Sequence, residues 1–127
     1  MFSWKRPSNL GVKDGRLAPC RRTPNCVSSQ ADPADAEHYT APLVFRGSMD
    51  QLRRAVESMQ RATVISVERN YLYAEFRSRL MRYVDDVELY YDERAGLVQV
   101  RSASRLGRRD FGVNRARVEA LRRAIAS

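Results

Sequence analysis

The stretch from Tyr83 to Ser104 limits the folds open to this chain more than any other. Tyr83–Asp92 and Leu97–Ser104 both alternate with the period of two that a half-buried strand requires. Glu93, Arg94, Ala95 and Gly96 between them supply the turn. A four-residue loop that pairs Asp92 with Leu97 sets Tyr91 opposite Val98, Leu89 opposite Val100, Val87 opposite Ser102 and Asp85 opposite Ser104. On the other face Glu88 meets Arg101, an opposite-charge pair that fits the same register. Slipping by one residue would turn the apolar set outward, so one register is expected.

In that register the expected core face changes character along its length. Near the turn it carries Tyr91, Leu89, Val98 and Val100, and at the far end Asp85, Ser102 and Ser104. A closing helix is predicted from Phe111 or Gly112 to Ala126, with Asp110 as N-cap and Val118, Leu121 and Ile125 as its apolar stripe. Asn114 sits one turn before Val118 on that stripe. Asp85, Ser102, Ser104 and Asn114 should therefore meet beneath the first turn of this helix, where free N–H groups and the helix dipole favour a carboxylate. Each needs a partner, because an unmade buried hydrogen bond costs about 1–3 kcal/mol. Arg101, Arg105, Arg115 and Arg117 are the local groups to neutralise Asp85 or Asp86. Two readings follow. The cluster is a network that docks the helix, or it is a pocket for a small anion, lined by Asp85, Arg101, Ser102, Ser104, Arg105, Asn114 and Arg115.

The preceding segments complete the expected domain. Leu43–Phe45 forms a short strand ended by Gly47, and Ser48 with Gln51 matches a capping box that starts a helix with the stripe Leu52, Ala55, Val56 and Met59. Thr63–Val67 and Asn70–Arg77 are further strands. Strand, helix, several strands and helix predict an α+β domain over residues 43–127: a twisted antiparallel sheet of four to five strands, two helices on one face, the other face wetter. Residues 1–42 hold all five prolines and little apolar periodicity. They read as an irregular N-terminal arm that packs where Leu17, Val27 and Tyr39 find partners.

With 127 residues and a formal net charge of +8 the chain is one domain's worth of basic protein, and 43% hydrophobic residues exclude global disorder. No apolar run is long enough for a transmembrane helix. Only Lys5 and Lys13 are lysines, and eight arginines face two acids from Arg101 to Ser127. Aromatics do not interleave with these arginines, which argues against nucleic acid. A solvated helix face, laced by Glu119 and Arg123, is the simpler role, and peripheral contact with a membrane surface stays open. Met1–Leu10 has no hydrophobic leader stretch, so a cytoplasmic protein is expected.

Cys20 and Cys26 stand as C-x5-C, with His38 the single histidine. The spacing suits neither a zinc site nor any metal, and leaves a disulfide or a pair of structural thiols. Nothing orients His38 toward either sulfur, so an exposed histidine is expected in place of a Cys–His nucleophile pair. Asp85 and Asp86, adjacent in a strand, point to opposite faces and cannot share a proton. Phosphate-loop, nucleophile-elbow, zinc-protease and dinucleotide motifs are missing, and no cofactor is expected. The favoured function is a non-catalytic binding or interaction module for a small anionic ligand or a protein partner. The alternative is an enzyme or redox protein acting on a small anionic substrate, with Asp85 as base or the cysteines as a redox pair.

Four motifs carry a resemblance: G-V-K-D-G-R-L-A-P-C (Gly11–Cys20), T-P-N-C-V-S-S (Thr23–Ser29), V-D-D-V-E (Val84–Glu88) and R-S-A-S-R-L-G-x-x-D-x-G-V-N-R-x-R (Arg101–Arg117). Together they resemble the domain-of-unknown-function family 1499 (DUF1499), found in bacteria and plastid-containing organisms. The resemblance implies no catalytic residues. It implies that the arm bearing both cysteines belongs to the domain, and its exported or lipid-anchored relatives make the cell envelope the alternative location.

Overall fold

The computed structural model describes residues 5–78, 83–107, 110 and 112–126. In chain order its elements are β1 (Cys26–Ser28), β2 (Leu43–Val44), α1 (Met49–Glu57), β3 (Ala62–Glu68), β4 (Tyr71–Arg77), β5 (Val84–Asp92), β6 (Leu97–Ser104) and α2 (Val113–Ala126). The strands form one antiparallel sheet in the order β1-β6-β5-β4-β3, with β2 also on β6. This is the expected α+β class. The sixth strand, β1, comes from the arm, whose Val27 is buried against the core where a wholly irregular segment was expected.

The β5–β6 register is the one read from the alternation, from Asp92 opposite Leu97 through to Asp85 opposite Ser104. Gly96 makes the loop feasible: its φ is +67°, and a side chain there would collide with the Arg46 guanidinium at 2.7 Å. Helix α1 starts on the expected capping box, with Ser48 Oγ accepting from the Gln51 N–H at 3.1 Å and Gln51 Oε1 from the Ser48 N–H at 2.7 Å. Leu52 and Val56 of α1 and Val118 and Leu121 of α2 join Leu72, Ala74, Val87, Leu89, Val98 and Val100 in one buried core. Both helices therefore cover the same face. Phe111, the alternative start of the last helix, lies outside the described residues, as do Met1–Trp4 of the leader reading.

The second face departs from expectation. It was expected to be wetter, yet Tyr71, Tyr73, Glu75, Asp86, Glu88 and Arg101 are all buried there. The arm covers them. Leu17 packs on Tyr71 and Tyr73, with Leu10, Val12 and Tyr90 around it. The arm holds its own shape through Gln30, whose side chain accepts from the Leu17 N–H at 2.8 Å and donates to the Gly15 carbonyl at 3.1 Å.

The arginines of α2 are not a simple solvated face. Arg115 donates to the carbonyls of Tyr39 (2.8 Å), Ala36 (3.2 Å) and Glu37 (3.3 Å), and Arg122 to those of Pro42 and Ala41 (both 2.9 Å). They fasten the end of the arm to the helix, because loop carbonyls entering a domain need donors. Glu119 is engaged by Arg122 at 3.2 Å, one residue short of the expected Arg123.

Candidate functional site

Asp85, Ser102, Ser104 and Asn114 do converge beneath the start of α2. Ser102 Oγ donates to Asn114 Oδ1 at 2.6 Å, and Asn114 Nδ2 donates to Ser104 Oγ at 2.9 Å and to the Asp110 carboxylate at 2.7 Å. Asp110 also accepts from the backbone N–H groups of Gly112 (2.8 Å) and Asn114 (3.2 Å), so it caps the helix from just outside it. Arg117 pairs with Asp85 at 2.8 Å, donates to Asn114 Oδ1 at 2.8 Å, and lies over the Phe76 ring with its guanidinium carbon 4.8 Å from the centroid. Burial pushes the Asp85 carboxyl above the ordinary carboxylate range, and Arg117 with the Ser104 hydroxyl offsets only part of that. Every side chain in this cluster is engaged with another. It reads as a closed network.

The remaining residues expected in the pocket lie elsewhere. Arg115 clamps the arm, as described above. Arg101 and Arg105 project from the opposite face, since Arg101 faces Glu88 across the ladder and Arg105 follows the strand end. There the sheet buries three carboxylates, Glu75, Asp86 and Glu88, against four guanidiniums, Arg6, Arg77, Arg101 and Arg105. Arg105 reaches Asp86 at 2.8 and 2.9 Å and Glu75 at 2.7 Å, and Asp86 also accepts a hydrogen bond from the Tyr73 hydroxyl. Hydrogen bonding to Asp86 raises the Arg105 guanidinium still further above its ordinary range. Burial and the neighbouring carboxylates likewise push up the hydroxyls of Tyr71 and Tyr73, which stay protonated donors. Burial works against ionised Glu75, but hydrogen bonds from Arg6, Tyr73 and Arg105 outweigh it and hold its carboxyl below the ordinary range.

Glu88 and Arg101 are matched less well. Glu88 is 0% exposed; its Oε2 accepts from the Tyr71 hydroxyl at 2.6 Å and the Gly11 N–H at 2.7 Å. Arg101 Nη1 stands 3.7 Å from Glu88 Oε1, beyond hydrogen-bond distance, and its Nη2 reaches the Pro19 carbonyl only at 3.4 Å. Among the described residues, Glu88 Oε1 and Arg101 Nε have no hydrogen-bond partner. Burial depresses the Arg101 guanidinium despite Glu88 and Asp86 nearby, and Arg21 adds a like charge.

Arg101 and Arg105 line a cleft of about 440 Å3 between the arm and this face. Its polar lining also includes Lys5, Arg21, Thr23, Asn25, Ser104 and Asp86. Of the charged residues that line it, Lys5, Arg21, Arg101 and Arg105 outnumber Asp86, so the cleft is cationic. Three residues expected in an anion pocket, Arg101, Ser104 and Arg105, thus share a cleft, while Asp85, Ser102 and Asn114 lie behind it in the closed network. Ser104 belongs to both.

Cys20 and Cys26 form a disulfide with an S–S distance of 2.06 Å, and Cys26 lines the cleft. Closing so short a loop is worth about 2 kcal/mol on the chain-entropy view. His38, expected to be exposed, is buried at 8% exposure. Its Nδ1 faces Asp35 Oδ2 at 2.8 Å and its Nε2 the Thr23 carbonyl at 3.0 Å. Both partners only accept, so the ring serves both as an imidazolium. These hydrogen bonds raise its pKa even though burial opposes them.

Among the described residues, no group of three His, Cys, Asp or Glu side chains is placed to hold a metal ion. No helix of the described residues is long and apolar enough to cross a membrane.

The buried residues of this face that were not expected in a site are Tyr71, Tyr73, Glu75 and Glu88. Their signal was present as a run of tyrosines and acids on one face of β4 and β5. Only the covering arm turns that face from solvated to buried.

Residues 16–125 match the family model described as "Protein of unknown function (DUF1499)", and the chain belongs to this family. No curated protein and no solved structure matches it.

Proposed function

We propose that this member of the family is a non-catalytic binding module that holds a small anion, a carboxylate or phosphate group, in the cleft between the arm and the polar face of the sheet. One observation carries the reading: among the described residues, Arg101, 5% exposed, is a buried guanidinium with an unpartnered Nε and a carboxylate no closer than 3.7 Å. A buried charge so poorly matched is costly, and an anion arriving in the cleft relieves the cost. Arg21 and Lys5 at the mouth add attraction at longer range. Arg105 is held rigid by Asp86 and Glu75, as suits a preorganised wall. A binding role is favoured over catalysis because the acids and hydroxyls around the cleft are engaged with one another: Asp86 with Arg105 and Tyr73, Ser104 with Asn114. The Cys20–Cys26 disulfide supports the envelope over the cytoplasm as the place of work, since paired thiols persist in oxidising compartments.

Thermal unfolding in rising inorganic phosphate or acetate at fixed ionic strength tests this. Binding to the folded state raises Tm with ligand concentration. Arg101→Lys keeps the charge but loses the planar fork, and is expected to weaken that response about tenfold. A Tm that rises equally in wild type and Arg101→Lys contradicts the assignment.

A further inference from the structure

We infer that the Cys20–Cys26 disulfide controls the anion cleft, assembling it when oxidised and disabling it when reduced. The inference rests on the anion-binding reading above. Residues 21–25, which the bond closes into a loop, form one wall of the cleft through Arg21, Thr23 and Asn25. That wall is not held uniformly. Asn25 is fixed without the disulfide: its Nδ2 donates to the Gly107 carbonyl at 2.7 Å, and its own carbonyl accepts from the Ser104 N–H at 2.9 Å and Asn114 Nδ2 at 3.2 Å. Cys26 is fixed too, as the β1 residue opposite Ala103 of β6. Arg21 is different. It is exposed and makes no hydrogen bond or ion pair with a described residue, and the residue before it is Cys20.

Arg21 and Arg101 line the same cleft and repel each other. The covalent bond therefore holds two like charges on either side of a space that an anion would fill. Once the bond opens, repulsion moves Arg21 outward, and the cleft loses the exposed cation that faces its buried one. The sheet keeps its shape, because β1 retains its pairing with β6 and the arm retains its contacts on Tyr71 and Tyr73.

The geometry also indicates how reduction proceeds. Cys26 is 3% exposed, whereas Cys20 is half-buried and lines a neighbouring groove of about 370 Å3 beside Arg21 and Arg22. The thiolate of a small dithiol, drawn by these arginines, attacks Cys20 Sγ. The Cys20–Cys26 bond breaks, Cys26 leaves as a thiolate and takes a proton from water. The second thiol of the reductant then attacks the mixed disulfide and releases Cys20, so the dithiol gives up two electrons and ends as its own disulfide.

The test is calorimetry of inorganic phosphate binding at fixed ionic strength, on wild type and Arg21→Gln, each oxidised and each reduced by excess small dithiol. Reduction is expected to weaken binding to wild type at least fivefold. Oxidised Arg21→Gln is expected to be weakened by a similar factor, and its reduction to add less than twofold. Reduced wild type that binds as tightly as oxidised overturns the control while leaving the anion site standing. Oxidised wild type that fails to bind phosphate overturns the anion-binding reading itself. Amide exchange in β4–β6 monitors the fold. Should reduction unfold the sheet, the oxidised arm decides: Arg21→Gln binding as tightly as wild type overturns the proposal.

Discussion

The two faces of one sheet are built from alternate residues of the same strands, yet they are buried by different means. On one face Leu72, Ala74, Val87, Leu89, Val98 and Val100 meet two amphipathic helices. On the other, Tyr71, Tyr73, Glu75, Asp86, Glu88 and Arg101 lie beneath a mostly irregular arm. The helices satisfy their own backbone, so the face they cover can be apolar. The arm lacks such a ladder over most of its length, and the polar face serves it directly, as when the Gly11 N–H donates to Glu88. The apolar face holds the fold together. The polar face holds the arm and leaves a charged cleft at its edge.

Substitutions that separate the faces give the largest expected effects. Leu89→Ala, at 0% exposure in the core that the helices cover, should cost about 2–5 kcal/mol of global stability in denaturant unfolding. Leu17→Ala is expected at the low end of that range, because an arm can settle into the gap where packed helices cannot; equal losses would erase the distinction. Adjacent aspartates sharpen the comparison. Asp86→Asn takes the charge from a carboxylate shared by Arg105 and Tyr73, and should cost about 3 kcal/mol. Asp85→Asn should cost about 1 kcal/mol, since burial already disfavours the Asp85 charge and an amide still accepts from Ser104 and Arg117.

Acid should distinguish the faces as well. Glu75 titrates below its ordinary range in the folded chain, so its contribution is complete above the unfolded pKa and lost as pH falls through the lowered folded value. Asp85 has the opposite sign: its raised pKa costs stability as pH rises above the unfolded value, and acid relieves that cost. Amide exchange between about pH 5 and 3 should therefore show Gly11 and Leu17 losing protection before Val118 and Leu121. The reverse order would contradict the account. A smaller effect is expected at His38. Its raised pKa gives a contribution that is full below the unfolded value near 6.5 and lost as pH rises through the folded one. Wild-type stability should fall slightly from pH 6 to 9, and His38→Gln should flatten that slope.

Much of the apolar face was legible in the sequence, because alternation and the capping box act over a few residues. The β5–β6 register, Ser48 with Gln51, and the meeting of Asp85, Ser102, Ser104 and Asn114 all follow from local spacing. The polar face was not, for a physical reason. Whether Glu88 is solvated or buried is decided by Gly11, distant in sequence, in a segment whose prolines and glycines carry no periodicity. The same blindness placed Arg101 and Arg105 in the pocket beneath α2, although the facing of Glu88 and Arg101 had already put Arg101 on the other side.

The central claim is that the anion site lies on the arm-covered face, and mapping amide resonances of the oxidised protein as inorganic phosphate is added tests it most directly. The account predicts saturable shifts greatest at Arg21, Asn25, Arg101, Ser104 and Arg105, lining the cleft. Shifts centred instead on Gly112–Arg117 at the start of α2, or spread over the surface arginines without saturation, would contradict it.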